Sequence, residues 1–240
     1  MAELTREVDI DSMMGALPAA FKDVNFGAYI YIRHGVTYDG GTKSQWYRGI
    51  ANFDVSDLAG AQINSAKLVR EVWSLVNGGV LGKISRCTRP ANWTEDGVTW
   101  NKYDGTSAWT AEGGDFDDGG PPAAITYSEP TSLGTHEITG LKDFVEDALD
   151  NRSGIVSIIT RLALEVPGTT TRFVWWSKEH ESDIWRLVID YTLPNPGRRG
   201  KGASPFARGA PDLRPVTAAR PTRAASGVAP ARPRRPRRTA

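Results

Sequence analysis

The sequence has very little cysteine and histidine. Cys87 is its one cysteine, and its three histidines lie far apart along the chain. A single cysteine excludes an internal disulfide framework and any metal site built from several cysteines. The histidines lack the close spacing of zinc ligands. We therefore expect no disulfide, no transition metal and no cofactor, and we interpret Cys87 as a half-buried thiol within a strand.

Long apolar runs are absent as well. No stretch approaches the roughly 20 apolar residues of a membrane-spanning helix. Residues 1–8 mix acidic with basic side chains, and no apolar segment follows them, unlike a secretory signal peptide. We therefore expect a protein that is made in the cytoplasm, without a signal peptide and without attachment to a membrane.

The motifs of the common enzyme classes are missing. The chain contains neither the Gly-x-Ser-x-Gly of many serine hydrolases nor a Gly-Lys-Ser or Gly-Lys-Thr phosphate-binding loop. Its carboxylates are scattered through acidic loops, and no spacing indicates the carboxylate pair of a glycosidase. We predict that the protein is not an enzyme.

One acidic segment is a weak candidate for a calcium site. Asp115, Asp117 and Asp118 lie in the glycine-rich residues 113–120, and Ca²⁺ prefers carboxylate oxygens as ligands. The segment lacks the later glutamate of an EF-hand loop. A polar turn without metal is therefore the favoured interpretation, and a calcium site is the alternative.

Charge is distributed very unevenly along the chain. Residues 194–240 hold eleven Arg, one Lys and one Asp together with nine Pro and ten Ala, and so carry about +11. The preceding 193 residues hold 17 basic and 27 acidic side chains, a net charge of about −10. Because proline removes backbone donors and like charges repel, we expect residues 194–240 to form an extended arm.

The rest of the chain has the pattern of an antiparallel all-β protein. Short runs rich in Val, Ile, Trp, Tyr and Phe alternate with clusters of Gly, Asp, Asn, Pro and Thr. We predict a jelly-roll-like β-sandwich with one short helix at residues 141–150, where an apolar stripe has helical spacing. Residues 104–134 are predicted to form a long ordered loop. The predicted strands are residues 28–33, 46–53, 63–73, 80–88, 135–139, 155–165, 172–176 and 185–191.

Two predicted strands carry large apolar groups on both faces. They are residues 46–53 and residues 172–176, where Trp175 and Trp176 must point to opposite faces. One of these two indoles therefore lies outside the principal core. We expect it to pack under the long loop; the alternative is an exposed indole that belongs to a recognition surface.

A series of short motifs follows a characteristic order along the body of the chain. The motifs are Asn25-Phe-Gly27, Arg48-Gly-Ile-Ala-Asn-Phe-Asp-Val-Ser56, Ser65-Ala-Lys-Leu68, Trp93-Thr-Glu95 with Val98-Thr-Trp-Asn101, Gly113-Gly-Asp-Phe-Asp117, and Ser177 with Glu179. This order resembles that of a DNRLRE-type domain, a β-sandwich module described as carbohydrate-binding in some polysaccharide-handling proteins. The resemblance covers residues 11–192 and departs from the family pattern at Asn52, where the family has an arginine. It implies a sandwich at residues 11–193, between an N-terminal segment, residues 1–10, and the basic arm.

Three functions agree with these features. The leading hypothesis is a structural protein of a virion, such as a bacteriophage capsid decoration (cement) or tail-associated protein, because a body that resembles extracellular modules lacks an export signal. Its arm would bind neighbouring virion proteins or copies of the same chain, so we expect a homo-oligomer. The alternatives are a carbohydrate-binding module that attaches to host glycans, and a nucleic-acid-binding protein that acts through the arm.

Each hypothesis has its candidate residues. The candidates for stacking on a glycan are Trp46, Trp109 and Trp176. The candidates for binding a partner through the arm are Arg198, Arg199, Arg208, Arg214, Arg220, Arg223, Arg232, Arg234, Arg235, Arg237 and Arg238.

Overall fold

The structure, a computed structural model, describes residues 1–89, 92–165, 168–182 and 184–194. These residues form twelve β-strands, all paired in antiparallel orientation, and one α-helix. The prediction of an antiparallel all-β sandwich with one short helix is confirmed. Apart from Pro194, the predicted arm at residues 194–240 lies outside the described residues. The predictions for its eleven arginines therefore stay predictions.

The strands differ greatly in length, from two residues to fifteen. The elements are β1 (Ala2–Glu7), β2 (Ile10–Leu17), β3 (Tyr31–Asp39), β4 (Thr42–Asp54), β5 (Gln62–Val76), β6 (Leu81–Cys87), β7 (Phe116–Asp117), β8 (Ile125–Ser128), β9 (Gly134–Thr139), α1 (Lys142–Asn151), β10 (Ile155–Leu162), β11 (Thr171–Trp176) and β12 (Arg186–Thr192). Two short 3-10 turns, Ala19–Asp23 and Ser56–Leu58, connect strands.

The two longest strands, β4 and β5, change partners along their length. Residues 42–47 of β4 pair with β3 and residues 49–54 pair with β10, while β2 lies along the opposite edge. In the same way, β5 pairs first with β12 and then with β11, and β9 lies along its opposite edge. The strand order is β1-β12-β5-β11-β3-β4-β10-β6-β7. Strands that pass from one layer to the next in this way turn a continuous sheet into a sandwich.

Both faces of β4 are buried, as the apolar groups on both sides of residues 46–53 indicate. Phe53 belongs to the principal core of the sandwich. Ile50 belongs to a second apolar cluster on the other face, which residues 92–116 cover with Trp100 and Trp109. Cys87 lies in this second cluster and is fully buried rather than half-buried. Residues 92–116, which we call the covering loop, therefore exclude water from one face of the sheet.

Four strands lie where the sequence predicts none. β1 pairs with β12, and β2 pairs with β4. The predicted N-terminal segment, residues 1–10, therefore contributes a strand to the sheet. The short strands β7 and β8 lie inside the stretch predicted as a loop, residues 104–134. Three of the six residues of β1 are charged, at an exposed edge of the sheet. β2 contains Ser, Met, Gly and Ala. Neither strand has the β-branched composition that predicts a strand from sequence.

The helix begins and ends one residue later than its predicted range of 141–150. It buries Phe144, Val145 and Ala148, which belong to the apolar stripe that predicts it. Among the described residues, no helix combines the length and the apolar character that crossing a membrane requires.

A charged cluster lies inside the principal core. Glu129 accepts hydrogen bonds from Arg70 Nη2 at 2.9 Å and from the Tyr127 hydroxyl at 2.5 Å, and its Oε1 lies 2.6 Å from His34 Nε2. The Arg70 guanidinium also lies 3.7 Å from the centroid of the Trp175 ring. Burial lowers the pKa of His34 although Glu129 opposes that shift, so the imidazole is neutral and Arg70 with Glu129 forms the ion pair. Because His34, Arg70 and Glu129 are all buried, this cluster fixes the packing of the core and offers no surface to a ligand.

Candidate binding surface

A row of aromatic side chains lies on the outer face of β5, β11 and β3. Trp176, the last residue of β11, pairs directly with Tyr31 of β3. Between β11 and β5 the register shifts, because Val174 pairs with Ser74 and the next residue, Trp175, pairs with Val72, which leaves Trp73 as the extra residue of a bulge. A bulge re-aims the side chain of its extra residue. Trp73 thereby stacks on Trp176, with ring centroids 5.1 Å apart and planes within 10°.

Trp176 is covered by two stacked neighbours. His180 lies against it with ring centroids 3.9 Å apart and planes 13° apart, and Trp73 is the second neighbour. The prediction that the outer indole packs under residues 104–134 is therefore wrong. Trp176 was a candidate for stacking on a glycan, but these two neighbours already cover much of its ring. Trp176 therefore supports and orients Trp73 instead of stacking on a ligand itself.

The row continues along the edge of β3. Tyr31 lies 6.2 Å from Trp73 and 5.6 Å from Tyr29 between ring centroids. Trp73 is 41% exposed, Tyr29 is 42% exposed, and the neighbouring Ile30 is 51% exposed. Because large exposed apolar groups that lie side by side mark interaction surfaces more often than single ones do, we call Tyr29, Tyr31, Trp73, Trp176 and His180 the aromatic surface.

Two arginines lie on the same face of the sheet as the aromatic surface. Arg33 is two residues from Tyr31 on β3, and Arg172 is four residues from Trp176 on β11. Because side chains alternate between the two faces of a strand, both arginines lie on the same outer face as these aromatic residues. Among the described residues neither forms a salt bridge. Burial lowers the pKa of Arg172, and the positive charge of Arg33 lowers it further. The pair therefore leaves a concentration of positive charge beside the aromatic rings.

The other two tryptophans predicted to stack on a glycan are engaged inside the protein. Trp109 is 6% exposed, and its indole N–H donates to Thr99 O at 3.0 Å under the covering loop. Trp46 is half-buried. Its indole N–H donates to Glu165 Oε1 at 3.3 Å, and its ring centroid lies 4.8 Å from that of Trp100. Lys43 lies over the same ring at 4.2 Å. Neither residue presents a ring face to a ligand, so we withdraw both as stacking candidates.

The three aspartates of the predicted calcium site bind different partners. Asp115 accepts hydrogen bonds from Arg89 Nε at 2.5 Å and from the backbone N–H of Ala111 at 2.9 Å. Asp117 accepts from the backbone of the glycines at 119 and 120, both at 3.0 Å. Within the part of the chain that the structure describes, no group of three acidic, histidine or cysteine side chains is arranged to hold a metal ion.

Asp118 is bound by side chains from two strands. It accepts hydrogen bonds from Lys83 Nζ at 2.8 Å, from the Ser85 hydroxyl and from Arg161 Nη2. Burial raises the pKa of Asp118, but the hydrogen bonds from Lys83 and Ser85 and the charge of Arg161 outweigh it and bring the pKa to about 2. The aspartates thus fasten the loop to β6 and β10, which is the polar turn that the sequence favours.

The sequence identifies part of the aromatic surface and misses the rest. Alternation in residues 172–176 places Trp176 on an outer face, and the same alternation could have placed Arg172 beside it. Alternation in residues 63–73 places Trp73 on the face of Lys67 and Glu71, opposite the buried Val72. The sequence does not mark the bulge, so it does not predict that Trp73 stacks on Trp176. Comparison with known proteins adds no further information, since no protein-family model and no curated protein matches this chain. The resemblance to a DNRLRE-type domain therefore stays a prediction.

Proposed function

We propose that this protein is a non-catalytic binding module that attaches to glycans through its aromatic surface. The observation that carries the proposal is the presentation of Trp73, a large exposed indole that is held parallel to Trp176 by a bulge in β5. The apolar face of a pyranose ring, made of C–H groups, packs well against an indole face of this kind.

The support beneath Trp73 favours tight binding. Trp176 and His180 form a stack behind it, and Tyr31 borders it at 6.2 Å. Immobilising a side chain on binding costs on the order of 1 kcal/mol, so a ring that is held in place beforehand avoids part of that cost. A row of rings along one sheet face also suits a ligand with repeated rings, such as a polysaccharide.

The two arginines indicate what else the ligand carries. Arg33 and Arg172 lack an acidic partner among the described residues, and Arg33 lies over the Tyr31 ring at 4.9 Å. A guanidinium recognises carboxylate and sulfate groups with paired hydrogen bonds. We therefore propose that the surface prefers glycans with acidic substituents over neutral ones.

Affinity electrophoresis through gels that contain soluble polysaccharides, neutral and acidic, tests the proposal. We expect at least one acidic polysaccharide to retard the wild-type protein and Trp73→Ala to abolish that retardation without loss of folding. Leu81→Ala is the matched control, because Leu81 is an exposed apolar residue on β6, away from the aromatic surface. If no polysaccharide of a broad panel retards the wild type, or if Trp73→Ala binds as well as Leu81→Ala, the proposal is wrong.

A second candidate function rests on the charge of the chain. Residues 1–193 carry about −10 and residues 194–240 carry about +11, so the basic arm of one copy complements the body of another. This asymmetry supports a role as a structural protein of a virion, a capsid decoration or tail-associated component whose arm binds neighbouring subunits. The two roles are compatible, because a virion surface can also bind host glycans.

Sedimentation analysis of the full chain and of a 1–194 truncation tests this second role. We expect the full chain to self-associate at low salt and to dissociate as salt screens the charges, whereas the truncation stays monomeric throughout. If the truncation also self-associates, the arm is not the segment that binds neighbouring copies. Salt-dependent binding of the full chain to duplex DNA, without self-association, would favour the nucleic-acid-binding role instead.

A further inference from the structure

Asp11 is a buried carboxyl group near the start of β2. Its Oδ2 accepts a hydrogen bond from the backbone N–H of Lys178 at 3.0 Å, while its Oδ1 is buried and has no hydrogen-bond partner among the described residues. Its own backbone N–H donates to Glu95 Oε1 at 3.3 Å. Burying a carboxylate with an unpaired oxygen costs far more than burying a neutral, protonated carboxyl group at the same place.

The segment that Asp11 holds, residues 177–182, carries one end of the aromatic surface. Ser177 donates from its backbone N–H to Ile30 O at 3.1 Å and from its hydroxyl to Tyr29 O at 2.5 Å. The backbone N–H of His180 donates to Ser177 O at 3.1 Å, and this closes the turn that places the His180 ring on Trp176. Asp11 is therefore an anchor of the turn that orients the stack behind Trp73.

Three charged groups face Asp11, namely Glu95 from the covering loop and Lys178 and Glu179 from the turn itself. The Lys178 ammonium lies 3.0 Å from Glu95 Oε2 and 2.6 Å from Glu179 Oε1, so two other carboxylates already share its charge. Burial raises the pKa of Asp11 to about 8; the hydrogen bond from the Lys178 N–H opposes this shift, and the negative charge of Glu95 adds to it. With the turn closed, the carboxyl group is neutral up to about that pH.

We propose that Asp11 is the positioning residue of the aromatic surface, whose protonated carboxyl group holds the 177–182 turn closed and whose ionisation releases the turn together with His180. Closure of the turn is a property of the protein alone. Its effect on ligand binding rests on the proposed function.

The direction of the pH effect follows from the exposure of Asp11. In the open turn Asp11 meets water and its pKa returns towards the ordinary value of 3.8, whereas in the closed turn the pKa is about 8. Opening therefore releases a proton at any pH between these two values. The equilibrium constant for opening rises by up to about tenfold per pH unit in this window and levels off above pH 8.

Amide hydrogen exchange followed by NMR on the full chain tests closure without any ligand. We expect the protection factors of the Lys178 and His180 amides to fall by up to about tenfold per pH unit between pH 5 and pH 7.5 in the wild type. Asp11→Asn, which keeps the shape and cannot ionise, is expected to keep a constant protection factor. Asp39→Asn removes an exposed carboxylate at the turn between β3 and β4, and as the matched control it is expected to behave like the wild type.

The proposal is overturned if wild-type protection at Lys178 and His180 does not change with pH, or if Asp11→Asn shows the same decline. Should Asp11→Asn not fold, the wild-type series still decides the matter, because the Lys178 and His180 amides must show the decline and must exchange faster than the amides of β10, which open only when the whole sheet unfolds. Retardation in polysaccharide gels at pH 5.5 and pH 8 is a separate measurement. If no polysaccharide binds while the exchange result holds, the proposed function is wrong and the role of Asp11 in closing the turn stands.

Discussion

Trp73 and Trp109 have the same side chain and serve different purposes, because one is exposed at a bulge and the other is buried under a loop. Truncation of a buried tryptophan removes its apolar contacts and leaves a cavity. We expect Trp109→Ala to lower the free energy of unfolding by about 3–5 kcal/mol. Trp73→Ala, at an exposed site, is expected to lower it by about 1 kcal/mol or less.

Urea unfolding followed by circular dichroism measures both variants. The comparison separates a residue that the fold needs from a residue that is available for binding. Equal losses of stability in the two variants would show that Trp73 is part of the packing, and would contradict its assignment to a binding surface.

The structure depends on contacts between loops that are far apart in sequence. Asn25 Nδ2 donates to Glu95 O at 2.6 Å and to Val98 O at 2.9 Å, which ties the loop before β3 to the covering loop. Gly27 lies against the same backbone, so closely that an added Cβ would come within 2.5 Å of Glu95 O. This contact explains why the Asn25-Phe-Gly27 motif ends in glycine.

We expect Gly27→Ala to lower the free energy of unfolding by about 1–3 kcal/mol, because the two loops must move apart to admit the methyl group. Gly119→Ala is the matched control, since a Cβ at Gly119 meets no atom within 4 Å. Thermal unfolding of the two variants beside the wild type decides the point. A Gly27→Ala protein as stable as the control would mean that the loops are not packed as described.

The elements also show which kinds of structure the sequence can and cannot predict. Strands with β-branched and aromatic residues, such as β10, β11 and β12, are predicted to within a few residues, and so is the helix. The prediction for β3 is poorer, because the strand runs over Tyr31–Asp39 and the predicted range is residues 28–33. β8 is missed although Ile, Thr and Tyr favour a strand, because it has only four residues and lies in a stretch rich in Gly, Asp and Pro. β1, β2 and β7 are missed, because their strand character comes from pairing with distant segments and not from composition. The bulge at Trp73 is missed for the same reason, as a register shift is a property of two strands together.

Across the whole chain, the alternation of apolar residues predicts which strands are buried on both faces. β4 confirms this prediction, because its two faces belong to two separate apolar clusters. Alternation says nothing about which charged side chains meet. His34, Arg70 and Glu129 come from three distant strands or loops and form a buried cluster in the core, while Arg33 and Arg172 meet on the outer face and carry no acidic partner among the described residues. The binding surface is therefore visible only once the strands are assembled.

If the ring of Trp73 faces the ligand, its indole N–H must respond when a glycan binds. We would titrate indole-¹⁵N-labelled protein with oligosaccharides from a polysaccharide that retards it and follow the indole N–H signals by NMR. We expect the signals of Trp73 and Trp176 to shift on binding, while those of the buried Trp93, Trp100, Trp109 and Trp185 do not. Shifts confined to the buried indoles, or a titration in which Trp73 does not respond, would show that Trp73 does not face the ligand.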